Sequence, residues 1–324
     1  MRFVCLAGFI LLFTSCSFNY LTAIKDNDTS APTARQCGSC HVVQYAEWKE
    51  TAHAGAYTSV SFKEESDNYR DQDCLFCHAP GEILNPVQNI RQYNRDEGVT
   101  CVSCHLFKEA MQGPHDSGAL FSPHAVIKNR KLDSRQESAV VCGVCHEETY
   151  EQWQEQSEKK PYPQCLVCHG AAVRRPHTKG TNIFSKVLVA FEPEHDVRSH
   201  SLVLSNHFGK GNGPDMRLTG QDGDTFSFSL VNSLPHDLPT GSFAEKELFI
   251  QFRWQDAGTA MPDGKEKFVV PLLAPGEQYD FTVTLFKRPQ EAILQLSLLR
   301  IAASTGRISL IRSWFFTDFS PSSR

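Results

Sequence analysis

The sequence predicts an α+β protein: a mostly irregular, short-helical domain followed by an antiparallel, Ig-like β-sandwich domain. Residues 37–182 contain many cysteines and histidines but few long apolar runs. From residue 183 to 324, short β-branched and aromatic segments alternate with clusters of Gly, Pro and Asp. That alternation is typical of antiparallel strands and their turns. We therefore predict two domains, 37–182 and 183–324.

The N-terminus, MRFVCLAGFILLFTSC, has the layout of an export signal. A single positive charge precedes an apolar run from Phe3 to Phe13, which is too short to span a bilayer. We predict a signal peptide over residues 1–16, a flexible tether over 17–36, and a location in the periplasm or at the outer membrane or cell surface. The end of the run resembles a bacterial lipoprotein signal, which predicts lipidation and membrane anchoring at Cys16. Ordinary cleavage near Ser17 is the alternative.

The first domain carries the pattern C-x-x-C-H five times. Random placement of 12 cysteines and 13 histidines would give roughly 0.02 matches. Two thiols at this spacing can bond the two vinyl groups of a porphyrin, and the adjacent histidine then lies under the iron as its proximal ligand. The pattern predicts five covalently attached haem c groups, at Cys37, Cys40 and His41; Cys74, Cys77 and His78; Cys101, Cys104 and His105; Cys142, Cys145 and His146; and Cys165, Cys168 and His169.

Three other uses of paired cysteines explain the pattern less well. A disulfide framework does not require a histidine after every second cysteine. Zinc sites of four cysteines would leave one pair and five histidines unexplained. A thioredoxin-type redox motif would occur once, at the start of a helix.

Part of the first domain is repeated. The segments CGSCHVVQYAEWK and CGVCHEETYEQWQ place two cysteines, a histidine, a tyrosine and a tryptophan at identical spacing. A second haem motif follows each segment, CLFCH and CLVCH. Helices are predicted around residues 42–52 and 147–158. We expect the Tyr and Trp of each copy to pack against a porphyrin face. Because the polypeptide has few apolar runs, we expect the haems to form the core of this domain.

Histidines are the best candidates for the sixth iron ligands. Only Met111, Met216 and Met261 follow the initiator, so methionine ligation is disfavoured. Two histidine ligands leave the iron without an open coordination position, which favours electron transfer over catalysis. The histidines outside the motifs are His53, His115, His124, His177, His195, His200, His207 and His236.

The chain resembles the multihaem c-type cytochromes typified by the tetrahaem cytochrome of nitrifying bacteria. The similarity is carried by CGSCHVVQYAEWKETAHAGA, GVTCVSCH, GPHDSGALFSPHAVIKNRKLDSRQESAVVCGVCHEETYEQW, VRSHSL and NSLPHDLPTG. It implies that His53, His124, His200 and His236 are distal ligands, with His115 or His177 as the fifth. The chain departs from that family in having five motifs and in carrying Glu158 where the second repeat would place its histidine.

The second domain contains no catalytic motif. Its predicted strands are KVLVAFE, TFSFSLV, ELFIQFRW, KFVVPLL, YDFTVTLF, AILQLSLL and RISLIRSWFF. We interpret it as a lid, docking surface or assembly module. His236 lies between Leu-Pro and Pro-Thr-Gly, on a turn that we predict to be stiff and to tie the two domains together.

The function predicted is electron transfer through five mostly bis-histidine haems, with unidentified donor and acceptor proteins as redox partners. The net charge of −5 and the lack of a basic patch argue against nucleic-acid binding. Two alternatives stay open: an oxidoreductase that reduces a small nitrogen or sulfur oxyanion at one five-coordinate haem, and a homo-oligomeric subunit of an extracellular cytochrome filament.

Overall fold

A computed structural model describes residues 32–87, 89–117, 124–179, 186, 192–202, 213–241, 246–255, 263–284, 293–302 and 308–316. The predicted signal peptide, the lipidation site Cys16, His207 and most of the predicted strand KVLVAFE therefore lie outside the described residues. The end of the predicted tether, residues 34–36, is helical, because Thr33 caps the first helix and its hydroxyl accepts from the Gln36 amide at 3.1 Å.

The chain divides into two compact units. The first comprises Met1–Cys145 and Pro163–Val203, and the second comprises His146–Tyr162 and Leu204–Arg324. The helix after the fourth haem motif is thus grouped with the C-terminal strands. The domain boundary predicted at residues 182/183 stays a prediction.

The described part of the first unit consists of short elements. Its helices are α1 (Ala34–Gly38), α2 (Val42–Trp48), α3 (Val60–Glu65), α4 (Gln72–His78), α5 (Cys101–His105) and α6 (Ser138–Gly143), with a later one at Cys165–His169, and two 3₁₀ turns lie at Arg95–Glu97 and Arg130–Leu132. Its strands are β1 (Leu106–Phe107), β2 (Ala110–Gly113), β3 (Val126–Lys128), β4 (Ala172–Arg175) and β5 (His195–Arg198). The first three strands form one small sheet, and β4 pairs antiparallel with β5.

Few apolar side chains of this unit are buried. Within its described residues they are Ala34, Phe62, Leu75, Ala79, Leu84, Val99, Val102 and Ala139. Such a small set favours the expectation that bound porphyrins supply much of the apolar core, because short chains bury too little surface unaided.

The second unit contains a helix and a β-sandwich. Helix α7 (Glu147–Lys159) confirms the helix predicted over 147–158. The helix of the first unit at Cys165–His169 follows it in the chain and is labelled α8. The strands are β6 (Asp215–Asp222), β7 (Thr225–Val231), β8 (Lys246–Gln255), β9 (Asp263–Val270), β10 (Gln278–Thr284), β11 (Ile293–Ala302) and β12 (Ile308–Phe316). They form two antiparallel sheets, β10-β7-β6 and β12-β11-β8-β9.

The sandwich core follows from strand alternation. Phe226, Phe228 and Leu230 point inward from β7, and Leu294, Leu296 and Leu298 from β11, all fully buried in one apolar cluster that draws on both sheets. This period of two is what places one face of each strand in the core. The predicted α+β class and the antiparallel sandwich are confirmed, whereas strand β6 (DMRLTGQD), which carries little apolar alternation, was missed.

Candidate haem-binding sites

The haem motifs coincide with short helical segments. Helices α5 and α8 span the third and fifth motifs from Cys to His, and α4 ends at His78. Cysteines three positions apart on a helix lie on one face, so both thiols of a motif can reach the same porphyrin edge. The ten motif cysteines are free thiols.

The two copies of the sequence repeat begin their helices in the same way. His41 caps α2 with φ −85° and ψ 53°, and His146 caps α7 with φ −106° and ψ 50°. In each copy the carbonyl of the capping histidine accepts from the amide of the tyrosine four residues later, at 2.9 Å. The two copies of the repeat therefore adopt the same local structure, in which a histidine lies at the start of a helix.

Three motif histidines are oriented by hydrogen bonds from their Nδ1 atoms. His41 Nδ1 lies 2.9 Å from the His177 carbonyl oxygen, and His105 Nδ1 lies 2.9 Å from that of Gln112. His78 Nδ1 lies 2.6 Å from the Ala56 carbonyl oxygen, and its ring stacks on Phe62 at 3.9 Å. An Nδ1–H that donates to a carbonyl leaves the Nε2 lone pair for a metal. These imidazoles fit the role of proximal haem ligands.

Two of the predicted distal histidines face motif histidines. The ring centres of His41 and His124 are 6.1 Å apart, with 38° between the planes. Those of His105 and His200 are also 6.1 Å apart, with 31° between the planes. Because an imidazole nitrogen binds a metal at about 2 Å, two imidazoles on opposite sides of one ion have ring centres about 6 Å apart. The residues present therefore fit an iron with two histidine ligands.

Burial disfavours the charged form of three of these imidazoles. It lowers the pKa of His200 to about 4, and it lowers the pKa values of His105 and His124 below the ordinary value. A metal binds the neutral imidazole, so protons do not compete for these nitrogens near neutral pH.

Attachment cysteines of different motifs lie side by side. A hydrogen bond between Cys37 and Cys101 raises the pKa of Cys37 and lowers that of Cys101. Cys145 is similarly bonded to Cys77, which raises the pKa of Cys145, and burial raises the pKa of Cys104 to about 12. A hydrogen bond from Cys142 to Cys165 raises the pKa of Cys142 and lowers that of Cys165. The first motif thus neighbours the third, the second neighbours the fourth, and the fourth neighbours the fifth.

The two candidates for the fifth distal ligand lie in the same place. The His177 and His195 rings are 4.5 Å apart, and those of His115 and His195 are 6.4 Å apart. Among the described residues there is no group of three or more His, Cys, Asp or Glu side chains arranged to hold a metal ion. The structure therefore brings His115 and His177 together around His195 but does not pair either with a motif histidine.

The other two predicted distal ligands are anchored through their backbones. The His53 carbonyl accepts from the Val99 amide at 2.9 Å, next to the third motif. In the second unit the His236 carbonyl accepts from Asn232 at 3.0 Å, and His236 Nδ1 lies 2.9 Å from the Asp237 carbonyl oxygen. Burial lowers the pKa of His236.

The turn that carries His236 is held by helix α7. Gln152 Nε2 donates to the Asp237 carboxylate at 2.8 Å, and the Asp237 amide donates to Gln152 Oε1 at 3.0 Å. Thr149 and Thr240 share a hydrogen bond of 2.7 Å. The turn is therefore fixed to helix α7, which His146 caps. The prolines of the turn did not indicate this attachment.

Two half-buried polar groups around the motifs were missed by sequence reasoning. The Arg91 guanidinium donates to the carbonyls of Pro80 (3.2 Å) and Gly98 (2.7 Å), and so joins the segment after the second motif to the segment before the third. Glu47 and Arg175 form an ion pair whose side chains are 21% and 14% exposed. Neither group stands in a recognisable motif, so no local signal could have found them.

Trp48 also differs from the expectation that it only packs. Its indole Nε1 donates to the Val99 carbonyl at 2.8 Å, and its ring lies 5.8 Å from that of Tyr45. The tryptophan therefore has a hydrogen-bonding role in fixing the segment ahead of the third motif.

The motifs, the free cysteines and the oriented histidines define a c-type cytochrome with several attachment sites. Residues 36–106 match the family profile of cytochrome c554 and c-prime. The chain is 30% identical over 161 residues to "Cytochrome c-554" of Nitrosomonas europaea, and the match covers 42% of this chain and 63% of that protein. The chain thus spans less than two thirds of that relative.

A solved structure has a similar fold along most of the chain. It is a penta-heme cytochrome c552 from Thermochromatium tepidum, with a TM-score of 0.51 and 14% identity, covering 89% of this chain and 99% of that one. At this identity the likeness concerns the fold alone. The five motifs and these likenesses support a multihaem c-type cytochrome. In the part of the chain that the structure describes, no helix has the length and apolar character needed to cross a membrane.

Proposed function

We propose that the protein carries five covalently attached haems and passes electrons between two redox partner proteins after export. The observation that carries the proposal is the pair of 6.1 Å ring separations, His41 with His124 and His105 with His200. A haem iron between two imidazoles changes between ferric and ferrous states without needing an open coordination position. This arrangement suits a carrier.

The chain's own residues hold the ligands in place. Carbonyl oxygens at residues 177 and 112 accept from the Nδ1 atoms of His41 and His105, which fixes each ring for either oxidation state. Ligands that keep their geometry minimise the rearrangement that accompanies gain or loss of an electron. The adjacent cysteines of different motifs support close spacing of the attached groups.

The haem number and the two ligand pairs can be tested together. We expect the mass of the mature protein to correspond to five haems, and its visible spectrum to be low-spin for the paired sites. His124→Ala and His200→Ala should each convert one haem to high spin, and the double variant should convert two. If the double variant converts only one, the two histidines serve the same haem and the assignment is wrong.

The remaining distal ligands are tested by the same measurement. His236→Ala should convert one further haem to high spin, because its turn presents an imidazole whose pKa is lowered by burial. Of His115→Ala and His177→Ala, one should do so and the other should not. A fully low-spin His236→Ala protein would leave His236 as a loop residue only. A ligand-induced spectral shift in the wild type would instead favour the oxidoreductase alternative.

The location is proposed from the N-terminal sequence. We expect export and a lipid anchor at Cys16. Cys16→Ser should release the protein from the membrane fraction into the soluble fraction. A wild-type protein that is already soluble would exclude the anchor.

A further inference from the structure

A half-buried ion pair lies beside one of the distal histidines. Arg175 donates to both carboxylate oxygens of Glu47, with Nη1–Oε1 at 2.6 Å and Nη2–Oε2 at 2.8 Å. Glu47 lies on α2, directly before Trp48, and Arg175 ends β4. Two parallel hydrogen bonds of this kind fix both orientation and distance.

The carboxylate also holds the backbone of a candidate iron ligand. The His200 amide donates to Glu47 Oε2 at 2.8 Å. The neighbouring Ser199 amide donates to the Ala171 carbonyl at 2.9 Å, which continues the pairing of β4 with β5. His200 is thus held through its backbone amide, while its ring faces that of His105.

The charge balance explains why both members are present. The Glu47 carboxylate accepts two hydrogen bonds from Arg175 and one from the His200 amide. A carboxylate in such a place needs a partner, because an unpaired buried charge is strongly unfavourable. Arg175 supplies it.

The same segment orients a second ligand. Two residues after Arg175, the His177 carbonyl accepts from His41 Nδ1 and from Gln44 Nε2, each at 2.9 Å. The segment at the end of β4 therefore contacts helix α2 near its start and near its end. It helps to hold both the proximal ligand of the first motif and His200.

We propose that Glu47 and Arg175 are positioning residues for His200 as an axial ligand, and that their opposite charges offset each other's effect on the reduction potential of the haem attached at Cys101 and Cys104. This inference rests on the proposed ligation by His105 and His200. A carboxylate near an iron favours the ferric state and a guanidinium favours the ferrous state. The pair therefore acts on the haem by two separable means, geometry and charge.

The charge role is tested by redox titration of the mature protein. Glu47→Gln, which leaves the Arg175 charge unbalanced, should raise the potential of one haem. Arg175→Gln should lower it, and the double variant should return it close to the wild-type value. A purely structural role would shift both single variants in the same direction, and that result, or no shift in either, would overturn the proposal.

The positioning role is tested by amide hydrogen exchange and by spin state. Glu47→Ala should speed exchange at the His200 amide and convert part of one haem to high spin. Glu47→Asp keeps the charge but shortens the reach, so exchange should speed up while the potential stays near that of the wild type. Unchanged exchange in both variants would refute the role of the carboxylate.

Two further proteins complete the design. Glu155→Gln is the matched control, because Glu155 forms an exposed ion pair with Lys159 at 2.8 Å on α7; it should change neither the potential nor the exchange. His200→Ala separates this inference from the proposed ligation. If that variant stays fully low-spin, the ligand assignment fails, whereas a high-spin haem there with unchanged Glu47 variants overturns only the present proposal.

Discussion

Replacing Trp48 with phenylalanine isolates one hydrogen bond that links the first haem motif to the third. The indole Nε1 donates to the Val99 carbonyl at 2.8 Å, and Val99 is only 9% exposed. Phenylalanine keeps most of the ring packing but removes the donor. Loss of a partner for a buried carbonyl costs about 1–3 kcal/mol.

The expected loss translates into a measurable shift in thermal unfolding. For a unit of this size, a loss of about 2 kcal/mol lowers the unfolding midpoint by about 4–8 °C. We would follow the transition by haem absorbance and measure exchange at the Val99 amide, which donates to the His53 carbonyl at 2.9 Å. Both the midpoint and the protection of this amide should fall in Trp48→Phe.

A neighbouring aromatic provides the control. Tyr45 packs against Trp48 at 5.8 Å, and its hydroxyl has no hydrogen-bond partner within the described part of the chain. Tyr45→Phe should therefore change the free energy of unfolding by no more than about 0.5 kcal/mol. If Trp48→Phe is as stable as Tyr45→Phe, the indole acts by packing alone, as the sequence suggested, and the hydrogen bond contributes nothing.

Three other predictions concern stability. Gly98→Ala should destabilise the protein by at least about 2 kcal/mol more than the control Gly223→Ala. Both glycines have positive φ (58° and 57°), but a Cβ at Gly98 would lie 2.3 Å from the His53 carbonyl oxygen, whereas nothing lies within 4 Å of a Cβ at Gly223. Equal midpoints in chemical denaturation would contradict this. Phe228→Ala should cost the sandwich about 3–5 kcal/mol in denaturant unfolding followed by circular dichroism, since Phe228 is 0% exposed, and a cost below about 1 kcal/mol would mean that the core collapses around the change. Burial opposes ionisation of Asp133, but hydrogen bonds outweigh it and hold its pKa below the ordinary value, so its stabilisation is present above the ordinary pKa of an aspartate and is lost as the pH falls further; the stability difference between the wild type and Asp133→Asn should shrink on acidification below about pH 4, and a constant difference would show that the charge is not involved.

Much of the local structure follows from local sequence. The predicted helix after the second CGxCH motif is present at Glu147–Lys159, and the one after the first, at Val42–Trp48, is shorter than expected. Five of the predicted strands coincide closely with β7, β8, β10, β11 and β12. Period-two alternation is a strong signal when one face of a strand is buried. Strand β6 lacks it, because five of its eight residues are exposed and only Met216 is buried.

The pairing of the histidines could not be predicted from local sequence. The resemblance implied that His124 and His200 are distal ligands but did not say which proximal histidine each faces. In the structure His41 faces His124 and His105 faces His200, each pair being far apart in the sequence. His115 and His177 were equivalent candidates in the sequence and are neighbours of one histidine in the structure.

The sequence by itself predicts the covalent chemistry, because two thiols and an imidazole within five residues need only local geometry to reach one porphyrin. It also predicted most strands of the sandwich, in which buried and exposed residues alternate. Only the tertiary structure decided that helix Glu147–Lys159 is grouped with those strands, and that Glu47 meets Arg175, 128 positions away, beside His200. The physical reason is that a helix face or a charged side chain shows that it needs a partner but not which distant segment supplies it, since that choice depends on the packing of the whole chain.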